Sequence, residues 1–198
     1  MDAAQMNRIL SLGETEAEGL LPHLSQVEGT GIVFRREFGL DALPEDPGLL
    51  LIRGARQYGK STWLEGQLKA TVEEHGAGSA YYLNGDELRH ADDLVLGVRE
   101  LLPLFRPTSS VRRLFIDELT AVADWQRGLK RLLDAGELAR VLVVTTGSKA
   151  SDLRRGGERL PGRKGRLERT AYLFTPVSYR EFRRVCGERL GPATLPAY

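Results

Sequence analysis

Along the chain, short unbroken apolar runs alternate with longer stretches in which apolar residues recur every three or four positions. The runs are Leu49–Arg53, Ser79–Asn84, Arg113–Asp117, Val141–Thr145 and Ala171–Phe174. They are continuous rather than alternating, which is the pattern of strands buried on both faces of a parallel sheet. Helical periodicity fills Lys60–Glu74, Asp92–Leu102 and Asp124–Ala135 between them. This strand–helix–strand order predicts a doubly wound α/β sheet with right-handed crossovers. Asp124 stands where it can cap the third helix, and Gly136 where a left-handed residue ends it. After the last run, Ser178 and Glu181 have the spacing of a capping box. It predicts a helix through about Leu190 with Phe182 and Val185 on one face.

The handover from the first strand to the first helix carries the strongest chemistry. Gly54-Ala55-Arg56-Gln57-Tyr58-Gly59-Lys60-Ser61, followed by Thr62, fits G-x-x-x-x-G-K-[ST], the Walker A loop. Its glycines let the backbone fold tightly and turn successive N–H groups toward phosphate oxygens. The helix that follows adds the positive end of its dipole. Lys60 then reaches the β- and γ-phosphates as a point charge and the Ser61 hydroxyl ligates Mg²⁺. Arg56 and Tyr58 occupy free positions of the pattern, where they either touch the nucleotide or face solvent. The bare pattern also arises by chance, and its setting between a strand and a helix gives it weight.

A second site completes the phosphate grip. In "RRLFIDEL", Leu114, Phe115 and Ile116 bury a strand and Asp117 emerges at its carboxyl end, placed to hold Mg²⁺ through water opposite Ser61. Glu118 follows as the group to polarise an attacking water. One strand intervenes between the two motifs, which argues against a simple nucleotide kinase, where they lie on neighbouring strands. "VLVVTTGSKASDL" brings the hydroxyls of Thr145, Thr146 and Ser148 to the same sheet edge, where ligands of open α/β sheets sit. Either one of them senses the γ-phosphate or positions water, or the segment is plain turn chemistry.

Composition changes the picture little. The chain has 198 residues, 41% hydrophobic and 28% charged, enough for an ordinary buried core. No apolar run approaches the roughly 18 residues of a membrane span, and the start lacks a secretory h-region. The single cysteine, Cys186, excludes an internal disulfide and fits a cytoplasmic location. Net charge is +1 but uneven: Arg154 to Arg189 carry eleven Lys or Arg against four Glu. That is either a surface for phosphate, nucleic acid or an acidic partner, or a solvated face. No Asn-Lys-x-Asp guanine motif is present, which favours ATP over GTP.

"GARQYGKST", "LFIDEL" followed by "ADWQRGLKRLLDAG", "VLVVTTGSKASDL", "LPGRKGR" and "YLFTPVSYREF" together resemble the AAA-type ATPase domain of a group of prokaryotic ATP-binding proteins. In that group the P-loop domain precedes a winged-helix segment and a C-terminal domain of nuclease-like fold. The resemblance runs from about Arg35 to Phe182. It implies a P-loop NTPase three-layer sandwich on five parallel strands ordered 5-1-4-3-2. It puts Lys60 and Ser61 on nucleotide and Mg²⁺, Asp117 on the metal, Glu118 in catalysis and Ser148 or Thr146 as sensor. Arg163, with Arg166 beside it, becomes an arginine finger or phosphate contact, and in trans would require at least a dimer.

The expected organisation is an N-terminal helical lead-in (1–47), a P-loop ATPase core (48–176) and the start of a C-terminal helical module (177–198), cut short. The expected activity is Mg²⁺-dependent hydrolysis of ATP to ADP coupled to a partner domain or substrate. The alternative is a nucleotide-dependent switch or DNA-associated module with little turnover. A small-molecule phosphotransferase ranks last, since no acceptor lid is visible.

Overall fold

The computed structural model describes residues 1–149 and 167–190, the last three as backbone. Five strands, β1 (Gly48–Arg53), β2 (Ala80–Asn84), β3 (Arg113–Asp117), β4 (Leu142–Gly147) and β5 (Ala171–Leu173), form one sheet in the order β2-β3-β4-β1-β5. Every pairing is parallel. This is the order 5-1-4-3-2 expected from the sequence.

The unbroken apolar runs have a simple cause. Leu49 and Leu51, Tyr81 and Leu83, Leu114 and Ile116, and Val143 all enter one core layer. Leu50 and Ile52, Tyr82, Phe115, Leu142 and Val144 enter the layer on the opposite face. Successive side chains point to opposite faces, so the inner strands, covered on both, are apolar at nearly every position. Strand β5, at the sheet edge, is covered on one face only, with Tyr172 buried and Ala171 and Leu173 exposed. The first layer is closed by α4 (Ala91–Leu101) and α5 (Trp125–Asp134), which contribute Leu94, Val98, Trp125 and Leu129. The second is closed by α3 (Lys60–His75), with Leu64, Leu68 and Val72, and by α1 (Ala3–Ser11), with Met6 and Leu10. A short α2 (Pro22–Glu28) lies against α3.

Helix α1 also attends to the sheet edge. Asn7, buried, donates from Nδ2 to Tyr82 O and accepts from Tyr82 N–H at Oδ1, each at 2.7 Å. One side chain therefore satisfies both backbone groups of a residue in β2, an edge strand that would otherwise leave them unpaired.

Two expected caps come out differently. Asp124 does precede α5, but at φ +53 and without a side-chain cap bond. An N-cap carboxylate reaches the N2 or N3 amide from an extended backbone, and a left-handed one points it elsewhere. Gly136 is left-handed at φ +72, as the sequence predicts. The last helix, α6 (Tyr179–Leu190), is entered with Ser178 Oγ accepting from Glu181 N–H at 3.2 Å. The reciprocal half of the box is replaced: the Glu181 carboxylate accepts from Arg35 N–H and from Arg184, all at 2.7 Å. With Phe34 stacked on Phe182 at 6.3 Å, this seats α6 on the segment that precedes β1.

The Arg184 guanidinium and then the Arg35 N–H hold the Glu181 carboxyl down to about 2. A carboxyl depressed by folding stabilises at pH values above its unfolded value, and that contribution fades as pH falls toward the folded one. Acid titration should therefore loosen α6 between about pH 4.5 and pH 2. Amide exchange of residues 179–187 would follow it, and Glu181→Gln should flatten the transition. Among the described residues no helix is long and apolar enough to cross a membrane.

Candidate functional site: a phosphate cleft at the carboxyl edge of the sheet

Strand β1 hands over to α3 through residues 54–59. Gln57 has φ +63 and Gly59 φ +86, while Arg56 and Tyr58 are not among the residues of positive φ, so the sign of φ alternates along the loop. Alternation of this kind turns consecutive amides into one concavity, a nest for anions. The first turn of α3 continues it with amides that lack intrahelical partners. Lys60, the first residue of α3, is only 4% exposed, and its Nζ donates to Ala55 O at 3.0 Å. An ammonium buried with so few acceptors is built to meet an anion.

The acidic pair arrives from β3. Glu118 Oε1 lies 3.8 Å from Lys60 Nζ, and Oε2 accepts from Ser148 N–H at 3.1 Å. Glu118 itself is left-handed at φ +44, a turn that swings its carboxylate from the strand end toward the loop. Gly85, just after β2, permits this: a Cβ there would stand 2.4 Å from Glu118 O. Asp117 Oδ1 accepts from Glu118 N–H at 3.0 Å and from the Thr146 hydroxyl. Its Oδ2 makes none of the described hydrogen bonds, leaving it to accept a metal-bound water.

A cleft of about 900 Å³ connects these parts, lined among others by Arg56, Lys60, Ser61, Glu118 and Ser148. Ser61 lines this cleft, while Asp117, 5% exposed at the end of β3, adjoins it through Glu118; a hydroxyl and a carboxylate are the donor types of a P-loop Mg²⁺ site. Among the described residues no three His, Cys, Asp or Glu side chains gather into a metal site of their own.

Other expected site residues fall elsewhere. Thr146 is fully buried, its proton given to Asp117 while its oxygen accepts from Glu118 N–H at 3.0 Å. These bonds tie it to the acidic pair. Thr145 donates to Leu50 O at 3.1 Å and belongs to the core. Ser148 and Thr62 line the cleft, and Gln57 does so with its exposed side chain. Tyr58 and Ala55 are exposed outside it, and Gly54 is buried under Phe174. Arg163 and Arg166 lie outside the described residues.

Sequence reasoning missed the second wall. An apolar cavity of about 600 Å³ adjoins the loop, sharing Thr62 with the phosphate cleft and lined by Ile32, Phe34, Arg36, Trp63 and Gly66. The Arg36 guanidinium stands 5.5 Å over the Phe174 ring, and burial pulls it below the usual arginine range. Glu65 of α3 is 3% exposed, and burial pushes its carboxyl up; it holds His23 Nδ1 at 2.6 Å. Nothing local in the sequence joins His23 to Glu65 or Arg36 to the loop.

A glycine loop of alternating φ sign between a buried strand and a helix, facing an acid pair two strands away, defines a P-loop NTPase. The AAA domain family matches residues 46–183, and the chain belongs to that family. No curated protein matches it by sequence. Its fold is similar to that of the Aeropyrum pernix Orc1 protein solved in complex with DNA, with TM-score 0.51 and 15% identity over 94% of this chain and 48% of that one. It is also similar to Cdc6p from Pyrobaculum aerophilum, with TM-score 0.48 and 15% identity over 88% and 49%. Domain III of the Thermotoga maritima replication initiation protein DnaA gives TM-score 0.48 and 14% identity over 90% and 71%. At such identities the likeness is one of fold alone. The chain spans about half the length of the Cdc6p and Orc1 chains. The nuclease-like C-terminal module expected from the sequence finds no support in these likenesses.

Proposed function

We propose that this domain binds Mg²⁺·ATP in the cleft between the loop and the acid pair, hydrolyses it to ADP, and transmits the change to a partner domain or substrate. The observation that carries the reading is the convergence of a buried ammonium, Lys60, and a carboxylate, Glu118, 3.8 Å apart at the mouth of an anion nest. Polyphosphate entering the nest gives Lys60 the acceptors it lacks. Glu118 then exchanges its contact with Lys60 for a water, which it holds for in-line attack on the γ-phosphorus. The water's proton passes to the Glu118 carboxylate and ADP leaves with the severed oxygen. Ser61 and Asp117 would hold Mg²⁺, which when bound neutralises charge on the phosphates. Thr146 keeps Asp117 and the Glu118 amide in register. The cavity lined by Trp63 and Phe34 takes the base: its walls are mostly apolar, with Arg36, Glu28 and Gln67 among them, and Thr62 joins it to the phosphate cleft.

Calorimetric titration is the direct test. Saturable binding of Mg²⁺·ATP and Mg²⁺·ADP is expected. Folded protein that releases no heat with either adenine nucleotide would refute the reading.

The second reading, a nucleic-acid-associated switch with little turnover, draws on the basic stretch from Arg154 to Arg189. Its mark would be DNA retention that falls steeply with salt. Whether the domain works as a homo-oligomer turns on whether Arg163 acts across a subunit boundary.

A further inference from the structure

His23 and Glu65 form a built pair that the hydrolytic scheme does not use. His23, in α2, lines the phosphate cleft together with Ser61 and Thr62 of α3. Its Nδ1 is 2.6 Å from Glu65 Oε1, while Glu65 Oε2 accepts from Leu24 N–H at 2.8 Å. The carboxylate is buried and has both oxygens occupied; the imidazole side chain is 54% exposed. Its Nε2 makes none of the described hydrogen bonds. If the pair served only to fasten α2 to α3, the Leu24 amide bond and the apolar contact of Leu24 would suffice. Burying a carboxylate carries a cost of several kcal/mol unless it is well compensated. The extra group it orients is a protonatable nitrogen at the edge of the cleft.

We propose that His23, oriented by Glu65, is a phosphate-recognition residue that takes up a proton when a nucleoside triphosphate binds. This rests on the nucleotide reading of the cleft. Ionised Glu65 accepts from Nδ1–H and so fixes the tautomer with a free lone pair on Nε2. The negative charge of the entering phosphates draws one proton from solvent onto Nε2, which then donates a charge-assisted hydrogen bond to a phosphate oxygen. The pair passes from a net charge of −1 to neutral, with one proton gained. Arg56, Lys60 and Lys149, which line the same cleft, oppose that uptake; Asp86 and Glu118 favour it. Behind the pair, Lys69 of α3 is taken by Glu16 at 2.6 Å and Glu28 at 4.0 Å. The incoming phosphates therefore decide the balance.

The test is calorimetry of the whole chain with a non-hydrolysable Mg²⁺·ATP analogue at pH 6 and pH 8, and at pH 7 in two buffers of different ionisation heat. His23→Gln supplies the baseline, because it retains the nucleotide's own titration. The unaltered chain should bind about tenfold more tightly at pH 6 than at pH 8 relative to that baseline, the size of a charge-assisted hydrogen bond. It should also take up a larger fraction of a proton at pH 7. His23→Lys, charged throughout, should bind well at both pH values with no excess uptake. Identical proton uptake and pH dependence in His23→Gln and the unaltered chain would overturn the role of His23 and leave the nucleotide reading intact. Absence of binding by the unaltered chain would overturn both.

Discussion

Lys60→Ala should give a folded protein whose affinity for Mg²⁺·ATP is about 10²-fold lower, from the loss of charge-assisted contacts to two phosphates on the order of 1.5–3 kcal/mol. Its thermal stability should be unchanged or slightly raised. The reason lies in what surrounds Lys60: the ammonium is 4% exposed and has one carbonyl, at 3.0 Å, and one carboxylate at 3.8 Å. Removing an undercompensated buried charge costs the fold little, whereas the bound nucleotide loses the cation that the loop presents. Calorimetry paired with a thermal melt separates the two effects. A variant that binds Mg²⁺·ATP as tightly as the parent would show that Lys60 is merely a core residue.

Glu118→Gln should retain nucleotide binding and lose hydrolysis by about 10²- to 10⁴-fold, the range of a general base. The amide still accepts from Ser148 N–H, so the local turn is kept while the proton acceptor is lost. Binding should tighten modestly, because a carboxylate beside Lys60 competes with the γ-phosphate for the same ammonium. Phosphate release under saturating Mg²⁺·ATP measures the loss. Unchanged turnover would move the catalytic role elsewhere; equal loss of binding would make Glu118 a structural partner of Lys60.

How much of this was legible beforehand depends on the range of the interaction concerned. The inner strands were legible because burial on both faces forces apolar residues at successive positions, as in Leu114, Phe115 and Ile116, whereas their order came only with the family resemblance. The loop was legible because phosphate binding confines its glycines and Lys60 to fixed spacings within eight residues. Glu118 was legible as the neighbour of Asp117, but not its left-handed backbone, which depends on Gly85 lying against it from the turn after β2. Asp124 misled for the same reason: the residue type suits a cap, yet the chain enters α5 through a conformation that only the packing of the turn sets. From the sheet edge, Thr145, Thr146 and Ser148 were open alternatives for a phosphate-facing hydroxyl or plain turn chemistry; that the Thr146 hydroxyl bonds Asp117 was not readable from the sequence. The wall formed by Arg36, Phe34 and Trp63, and the pairing of His23 with Glu65, join residues tens of positions apart and have no spacing to read.

The contact between Asn7 and Tyr82 has a consequence for how this domain keeps to itself. By occupying both outward backbone groups of Tyr82, at the middle of an outer strand, a single amide side chain interrupts the ladder that another extended peptide would need along that border. A shortened chain that begins after α1 would present an open ladder flanked by the apolar surface that Met6 and Leu10 normally cover. The first dozen residues therefore close a sheet border as well as complete the core.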